Sequence, residues 1–265
     1  MGPRQVGKST LAEAIIPKDE RVLEINGDNT DVQTMFVDVD EAKIKILLGN
    51  NNFRFVDDAQ KIQNVGNMLK IVADKFKDVK IIVTGSSSFK LSEAVNESLT
   101  GRKREFKLYP LSFKEMADYT SVLEESRLIE HRLIYGYYPE VVTSVGDEKE
   151  VIKELIDSYL YKDVLEENNI AKPDQLVKLV QALAFQIGST VSATELAGLV
   201  GIDAKTVERY IEILEKSYII FTIPSYAKNQ RNELKFARKI YFWDMGIRNG
   251  VIGNMAPVSL RSPEE

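Results

Sequence analysis

The chain has 265 residues, of which 44% are hydrophobic and 28% charged, and its formal net charge is −5. This length is enough for two domains with separate hydrophobic cores. The sequence has no cysteine and one histidine, His131, which excludes disulfides and thiol chemistry and leaves too little material for a histidine-rich metal site or a Ser-His-Asp triad. We expect His131 to lie on a helix surface.

No run of the sequence approaches the ~20 consecutive apolar residues that a membrane span needs, and the N-terminus lacks the pattern of a signal peptide. We therefore expect a cytoplasmic protein with no membrane partner. Any bound metal is expected to be an oxygen-liganded ion such as Mg²⁺. The negative net charge argues against general coating of nucleic acid, although it is compatible with a local basic face.

Short β-rich runs alternate with helical patterns up to about residue 110, which is typical of a parallel sheet covered by helices. The predicted strands are residues 21–25, 53–56, 80–84 and 104–108, and the predicted helices are residues 8–16, 41–48 and 61–76.

From Ser112 onward the pattern is helical, with one turn near Gly136 and Pro139. Three helices are then predicted at residues 175–187, 193–199 and 204–216, followed by β-rich runs at 218–223 and 239–243. Ser192 and Glu195 form a capping-box pattern at the start of the second of these helices. The pattern predicts an α/β core at 1–111, a helical connector or lid at 112–172, an α+β winged-helix domain at 173–250, and a tail or the start of a truncated further domain at 251–265.

A phosphate-binding pattern, G-x-x-x-x-G-K-[ST], opens the chain. The glycines allow the backbone amides to approach a phosphate, while Lys8 would act on the β and γ oxygens of ATP and the Ser9 hydroxyl would bind Mg²⁺. The alternative is a glycine-rich turn that begins a helix. The predicted ATP-binding residues are Gly2, Pro3, Arg4, Gln5, Val6, Gly7, Lys8, Ser9 and Thr10.

A phosphate loop of this kind normally follows a buried strand, and here Met1 alone precedes Gly2. The sequence therefore predicts a P-loop NTPase sheet that lacks its first strand, and a fragment of a longer protein.

Two carboxylates follow the apolar run 53–56, as in a Walker B strand. Asp57 would hold Mg²⁺, partly through water, and Asp58 would orient or deprotonate the attacking water. Asp58 has a shorter side chain than the glutamate common at this position in ATPases, which would slow hydrolysis. The alternative is a strand that runs into an acidic helix cap.

Small polar residues follow the next apolar run, and Thr84, Ser86 or Ser87 is expected to contact the γ-phosphate or the attacking water. The alternative is a serine-capped helix starting near Phe89. Arg102, in a short basic cluster, is the candidate for stabilising the transferring phosphoryl group, in cis or across a subunit boundary of a homo-oligomer. An exposed basic turn explains Arg102 equally well.

Two parts of the predicted winged helix differ in net charge. Its second helix, from Asp203 to Lys216, has a net charge of −1, which suits the major groove of DNA poorly. The stretch from Tyr226 to Arg248 has six basic and two acidic residues, so the basic run from Lys228 to Lys239 is the candidate for binding DNA phosphates. A protein-docking role for the winged helix remains the alternative.

With these motifs in place, the chain resembles a prokaryotic family of AAA-type ATPases of poorly defined role. The resemblance rests on GPRQVGKST at 2–10, the acidic strand at 53–62, TGSSS at 84–88, GR…LYPLSF at 101–113, YGYYPEVV at 135–142 and KIYFWDMGIRN at 239–249. It implies ATP and Mg²⁺ as cofactors, and a C-terminal restriction-endonuclease-like domain that this sequence lacks. Asp58 and Tyr137 depart from the family pattern, which usually has glutamate and glycine there.

These features lead to one expected function and one alternative. The expected function is Mg²⁺-dependent ATP hydrolysis coupled to movement of the winged helix. The alternative is a nucleotide-gated switch that binds DNA or a protein and turns over little or no ATP.

Overall fold

The computed structural model describes residues 1–49, 51, 53–86, 99, 101–168, 170–224 and 238–261. It divides into two compact units, Met1–Leu108 and Tyr109–Glu265. None of the helices within the described residues is long and apolar enough to cross a membrane.

The first unit is built on a parallel three-stranded sheet in the order β1-β2-β3. Val22 lies opposite Phe53, and Phe53 lies opposite Lys80, so all three strands end at the same edge. The strands are β1 (Val22–Asn26), β2 (Phe53–Asp57) and β3 (Lys80–Val83), and the helices are α1 (Lys8–Ile15), α2 (Thr30–Met35), α3 (Glu41–Leu48) and α4 (Val65–Lys75).

The central strand β2 is buried on both faces, as expected for a parallel strand covered by helices on either side. Its Arg54 is almost fully buried and donates hydrogen bonds to the carbonyl oxygens of Phe53 and Leu48. Leu48 is the last residue of α3, so this guanidinium helps to satisfy a carbonyl group at the end of the helix, which also accepts from Asn51. At the start of α3, the Asp40 carboxylate accepts a hydrogen bond from the Lys43 amide at 2.8 Å.

The α/β class is confirmed, and three of the four predicted strands are present within one or two residues. The prediction of a strand at 104–108 is wrong. There, the Leu108 amide donates to Met1 O at 2.8 Å and the N-terminal ammonium donates to Phe106 O at 3.0 Å. Both hydrogen bonds involve Met1, and two bonds to a single residue do not form a strand pairing. The predicted helix 61–76 begins only at Val65, because Asn64 has a φ of 54°, and α2 was not predicted.

The second unit contains ten helices among its described residues. They are α5 (Phe113–Tyr119), α6 (Val122–Arg127), α7 (Ile129–Tyr135), α8 (Pro139–Thr143), α9 (Glu148–Leu155), α10 (Val164–Glu167), α11 (Pro173–Phe185), α12 (Ala193–Val200), α13 (Ala204–Lys216) and α14 (Met245–Val251). A π-helical stretch, Ile156–Asp163, joins α9 to α10, and Val258–Leu260 forms a 3-10 turn.

A small antiparallel sheet in the order β4-β6-β5 completes this unit. Its strands are β4 (Thr190–Val191), β5 (Ile220–Ile223) and β6 (Arg238–Phe242). The helices predicted at 175–187, 193–199 and 204–216 and the two β-rich runs after them are all present, whereas β4 was not predicted. The turn between α12 and α13 uses Gly201, whose φ is 78°.

One hydrophobic core runs through the second unit, from Tyr138 in the predicted connector to Val251 in α14. The structure therefore has one compact unit where the sequence predicted a connector at 112–172 and a separate domain at 173–250. The reason is that α9 and the π-helical stretch supply apolar side chains to the same core as α11 and α13.

Asp244 joins two distant parts of this unit. Its carboxylate accepts hydrogen bonds from the Tyr137 amide at 2.7 Å and from the Ile247 amide at 3.0 Å, and it caps α14. Burial raises the pKa of Asp244 to about 6, although the backbone amides that donate to it act in the opposite direction.

Candidate nucleotide-binding site

The segment from Gly2 to Ser9 forms a tight loop that leads into α1. Gly7 precedes the helix with a φ of 88°, a conformation that favours glycine, and no side chain caps the helix there. A Cβ on Gly2 would collide with the carbonyl oxygen of Leu108, so only glycine fits this close backbone approach. The uncapped amides of the first turn of α1 are available to an anion, and a phosphate is the expected one.

The side chain of Lys8 lies between this loop and the acidic strand end. Its Nζ donates to Pro3 O at 2.6 Å. Burial lowers the pKa of Lys8 to about 8, while the charges of Asp58 and Asp57 raise it and Arg4 lowers it further. The ammonium group is therefore partly desolvated and close to two carboxylates, where a triphosphate would also be attracted.

The carboxylate of Asp57 is the meeting point of three elements. It accepts a hydrogen bond from Ser9 Oγ at 2.7 Å and a second, short one from Thr84 Oγ1. Ser9 lies in the first turn of α1, Asp57 ends β2, and Thr84 directly follows β3. Because neighbouring parallel strands end together, the register that pairs Val56 with Val83 places Asp57 beside Thr84.

These oxygen donors fit Mg²⁺. The ion prefers carboxylate, hydroxyl and phosphate oxygens and is bound by one or two protein groups plus phosphates. Ser9 and Asp57 would supply those two groups.

Asp58 adopts a left-handed backbone conformation, with φ 46° and ψ 44°. Its side chain makes no cap hydrogen bond to the following 3-10 turn, Ala59–Lys61, which argues against the helix-cap alternative. Instead, Asp58 Oδ1 accepts a hydrogen bond from Gln60 Nε2 at 3.2 Å, and Gln60 Nε2 also lies 2.9 Å from Ser86 Oγ. Ser86, like Thr84, is buried.

Gln60 is a site residue that sequence reasoning missed. Its one sequence signal is its position, two residues after the acidic pair at the end of a buried strand. That signal does not reveal the contact with Ser86, which lies 26 positions along the chain.

Two predicted residues lie apart from this cluster. Thr10 is exposed on α1. Arg102 forms an ion pair with Asp74, near the C-terminal end of α4. Since α4 starts at the edge of the sheet where β2 ends and returns to the start of β3, this ion pair lies at the opposite edge from Asp57. A catalytic role for Arg102 stays a prediction, and Ser87, Phe89 and residues 228–237 lie outside the described residues.

Residues 1–117 match a family model described as an AAA domain, and residues 126–257 match one described as a domain of unknown function, DUF8612. The fold resembles a solved Walker-type ATPase of Pyrococcus abyssi, with a TM-score of 0.59 and 16% sequence identity over 94% of this chain and 89% of that chain. The AAA match over residues 1–117 and the shared fold agree with the predicted P-loop NTPase fold.

Curated relatives of the chain are themselves uncharacterised. One, from Methanocaldococcus jannaschii, is 26% identical over 85% of this chain and 56% of its own length. Another, from Haemophilus influenzae, is 27% identical over 80% of this chain and 54% of its own length. The chain thus spans about half the length of these relatives.

Proposed function

We propose that the protein hydrolyses ATP in a Mg²⁺-dependent reaction and that the nucleotide state moves a winged helix formed by the C-terminal part of the second unit. The observation that carries the first part is the 2.7 Å contact between Ser9 Oγ and Asp57 Oδ2, which brings both expected magnesium ligands to one point beside Lys8.

In this proposal, the amides at the start of α1 and the Lys8 ammonium bind the phosphates of ATP. Ser9 and Asp57 would hold the metal, which would supply positive charge to the phosphates. Asp58 orients the attacking water and accepts its proton, and Thr84 fixes the Asp57 carboxylate through the hydrogen bond that it donates.

A variant at Lys8 tests this part of the proposal. Lys8→Ala is expected to remove ATP binding in calorimetry and Mg²⁺-dependent phosphate release, because the site loses the ammonium group that lies beside Asp57 and Asp58. Lys70→Ala removes an exposed lysine of α4 in the same unit and serves as the matched control. Unchanged ATP binding by the Lys8 variant would reject the proposal.

The winged-helix part of the proposal rests on the order α11-β4-α12-α13-β5-β6, in which two helices joined by a short turn precede an antiparallel pair of strands. Hydrogen exchange of residues 190–224 is expected to differ between the ATP and ADP states, and to be identical in the two states for Lys8→Ala. Equal exchange in both states of the wild-type protein would reject the coupling.

The charges on α13 bear on the partner of the winged helix. The exposed face of α13 carries Lys205, Glu208, Arg209 and Glu212, so its charges balance. This balance favours a protein partner over the major groove of DNA. The second candidate function is a nucleotide-gated switch that binds DNA phosphates through the run from Lys228 to Lys239. Salt-dependent DNA binding that requires ATP, without phosphate release, would favour that candidate.

A further inference from the structure

Gln60 connects the proposed catalytic carboxylate to the segment after β3. Its Nε2 atom lies 3.2 Å from Asp58 Oδ1 and 2.9 Å from Ser86 Oγ. We propose that Gln60 is a positioning residue that holds the Asp58 carboxylate in the orientation needed to act on the attacking water. This inference rests on the proposed ATPase function. It names the residue that orients Asp58, the proposed base of that reaction.

The orientation of the Gln60 amide follows from the chemistry of its neighbours. An ionised carboxylate only accepts hydrogen bonds, so the nitrogen and not the oxygen of the amide faces Asp58. The Ser86 hydroxyl can accept the second N–H. Both amide protons are thereby used to join the end of β2 to the segment after β3.

The other end of the amide gives a second argument. Gln60 Oε1 is buried and has no hydrogen-bond partner among the residues that the structure describes. A buried acceptor without a partner is unfavourable and uncommon, so a glutamine kept here for packing alone would be a poor choice. The arrangement is accounted for if the donor end has a function that outweighs an oxygen left without a partner in the described part of the chain.

The backbone fixes Gln60 firmly enough for this role. The Ala59 amide donates to Thr84 O at 3.1 Å, which ties the turn to the end of β3. Asp58 itself is in the left-handed region, so its carboxylate is aimed by an unusual backbone conformation as well as by Gln60. Its other oxygen, Oδ2, lies 4.0 Å from Lys61 Nζ. The same ammonium is paired with the Asp28 carboxylate, so Gln60 is the closer side-chain partner of Asp58.

The test is a double-mutant cycle on steady-state ATP hydrolysis, with ATP affinity measured separately by calorimetry. Gln60→Ala is expected to lower kcat by about tenfold to a hundredfold, since a displacement of ~1 Å at a reacting group has effects of that size. ATP affinity is expected to stay within about twofold. In an Asp58→Ala background, Gln60→Ala is expected to cause no further loss, because Gln60 acts through Asp58.

Gln63→Ala, which removes an exposed glutamine three positions along the chain, is the matched control and should keep the wild-type kcat. If Gln60→Ala lowers the melting temperature, Gln60→Glu replaces it, since ionised glutamate has a similar size but no donor. The same loss of kcat is expected.

The outcomes separate this inference from the function on which it rests. A wild-type protein that releases no phosphate would overturn both. A slow Asp58→Ala variant together with a Gln60→Ala variant of wild-type kcat would overturn the role of Gln60 alone. Additive losses in the double variant would show that Gln60 acts independently of Asp58 and would also overturn that role.

Discussion

Because the ammonium group of Lys8 is partly desolvated, we expect ATP affinity to depend on pH. Burial lowers its pKa from 10.5 to about 8, so the group loses its charge in the free protein at a pH where an exposed lysine keeps it. A bound triphosphate would favour the charged form. ATP affinity is therefore expected to fall as the pH rises through the pKa of Lys8 in the free protein.

The size of the effect follows from the titration curve. With a pKa of about 8, Lys8 is about nine-tenths charged at pH 7 and about one-tenth charged at pH 9. If only the charged form binds, the Kd for Mg·ATP increases by about tenfold between these two pH values. The folding stability of the free protein depends on pH in the opposite direction. Lys8 has a pKa of 10.5 in the unfolded chain and of about 8 in the folded protein, so the unfolded chain holds more protons between these values. The contribution of Lys8 to stability therefore increases from pH 8 upward.

Calorimetric titration of Mg·ATP at the two pH values measures this change. Lys8→Arg is the matched control, since arginine stays charged throughout and the variant keeps the amino group of Met1, whose pKa burial also lowers. The control is expected to show a much smaller dependence on pH. Equal affinity of the wild-type protein at both pH values would refute the reasoning.

Three further predictions concern the metal and the second unit. Ser9→Ala is expected to raise the Mg²⁺ concentration needed for ATP binding by about tenfold or more, and a magnesium titration that matches the wild type would contradict this. Leu183→Ala, at a fully buried position, is expected to destabilise the second unit by about 2–5 kcal/mol in urea unfolding. By contrast, Phe185 is 55% exposed, so Phe185→Ala should change the free energy of unfolding by less than about 1 kcal/mol. Because the folded pKa of Asp244 is raised to about 6 from 3.8, stability is expected to fall as the pH rises from about 4 to about 6. Asp244→Asn should unfold in urea with a much smaller pH dependence, and an unaltered pH dependence would contradict the assignment.

The helices of the fold could be predicted well where side chains mark their ends. Asp203 accepts a hydrogen bond from the Thr206 amide, and Ser192 accepts one from the Glu195 amide, so both helices start where the sequence indicated. No comparable signal marks Asn64, whose left-handed backbone delays the start of α4. Short elements such as α2 and β4 were missed because their few residues show no periodicity of their own.

The candidate site was predictable where chemistry requires fixed residue types at a fixed spacing. The phosphate loop is one such motif, and Asp57 follows an apolar strand that could be identified from its composition. The contacts of Gln60 and of Arg102 could not be predicted, because each depends on which residues the fold brings close in space.

The Asp244 carboxylate limits which substitutions the second unit can tolerate. It accepts hydrogen bonds from the Ile247 amide, in its own segment, and from the Tyr137 amide, 107 positions before it. A Cβ on Gly136 or Gly246 would collide with its oxygens or with the neighbouring backbone. A recombinant that takes α14 from a distant relative, with another residue at position 244, should therefore fold poorly unless the stretch around Gly136 is inherited from the same parent.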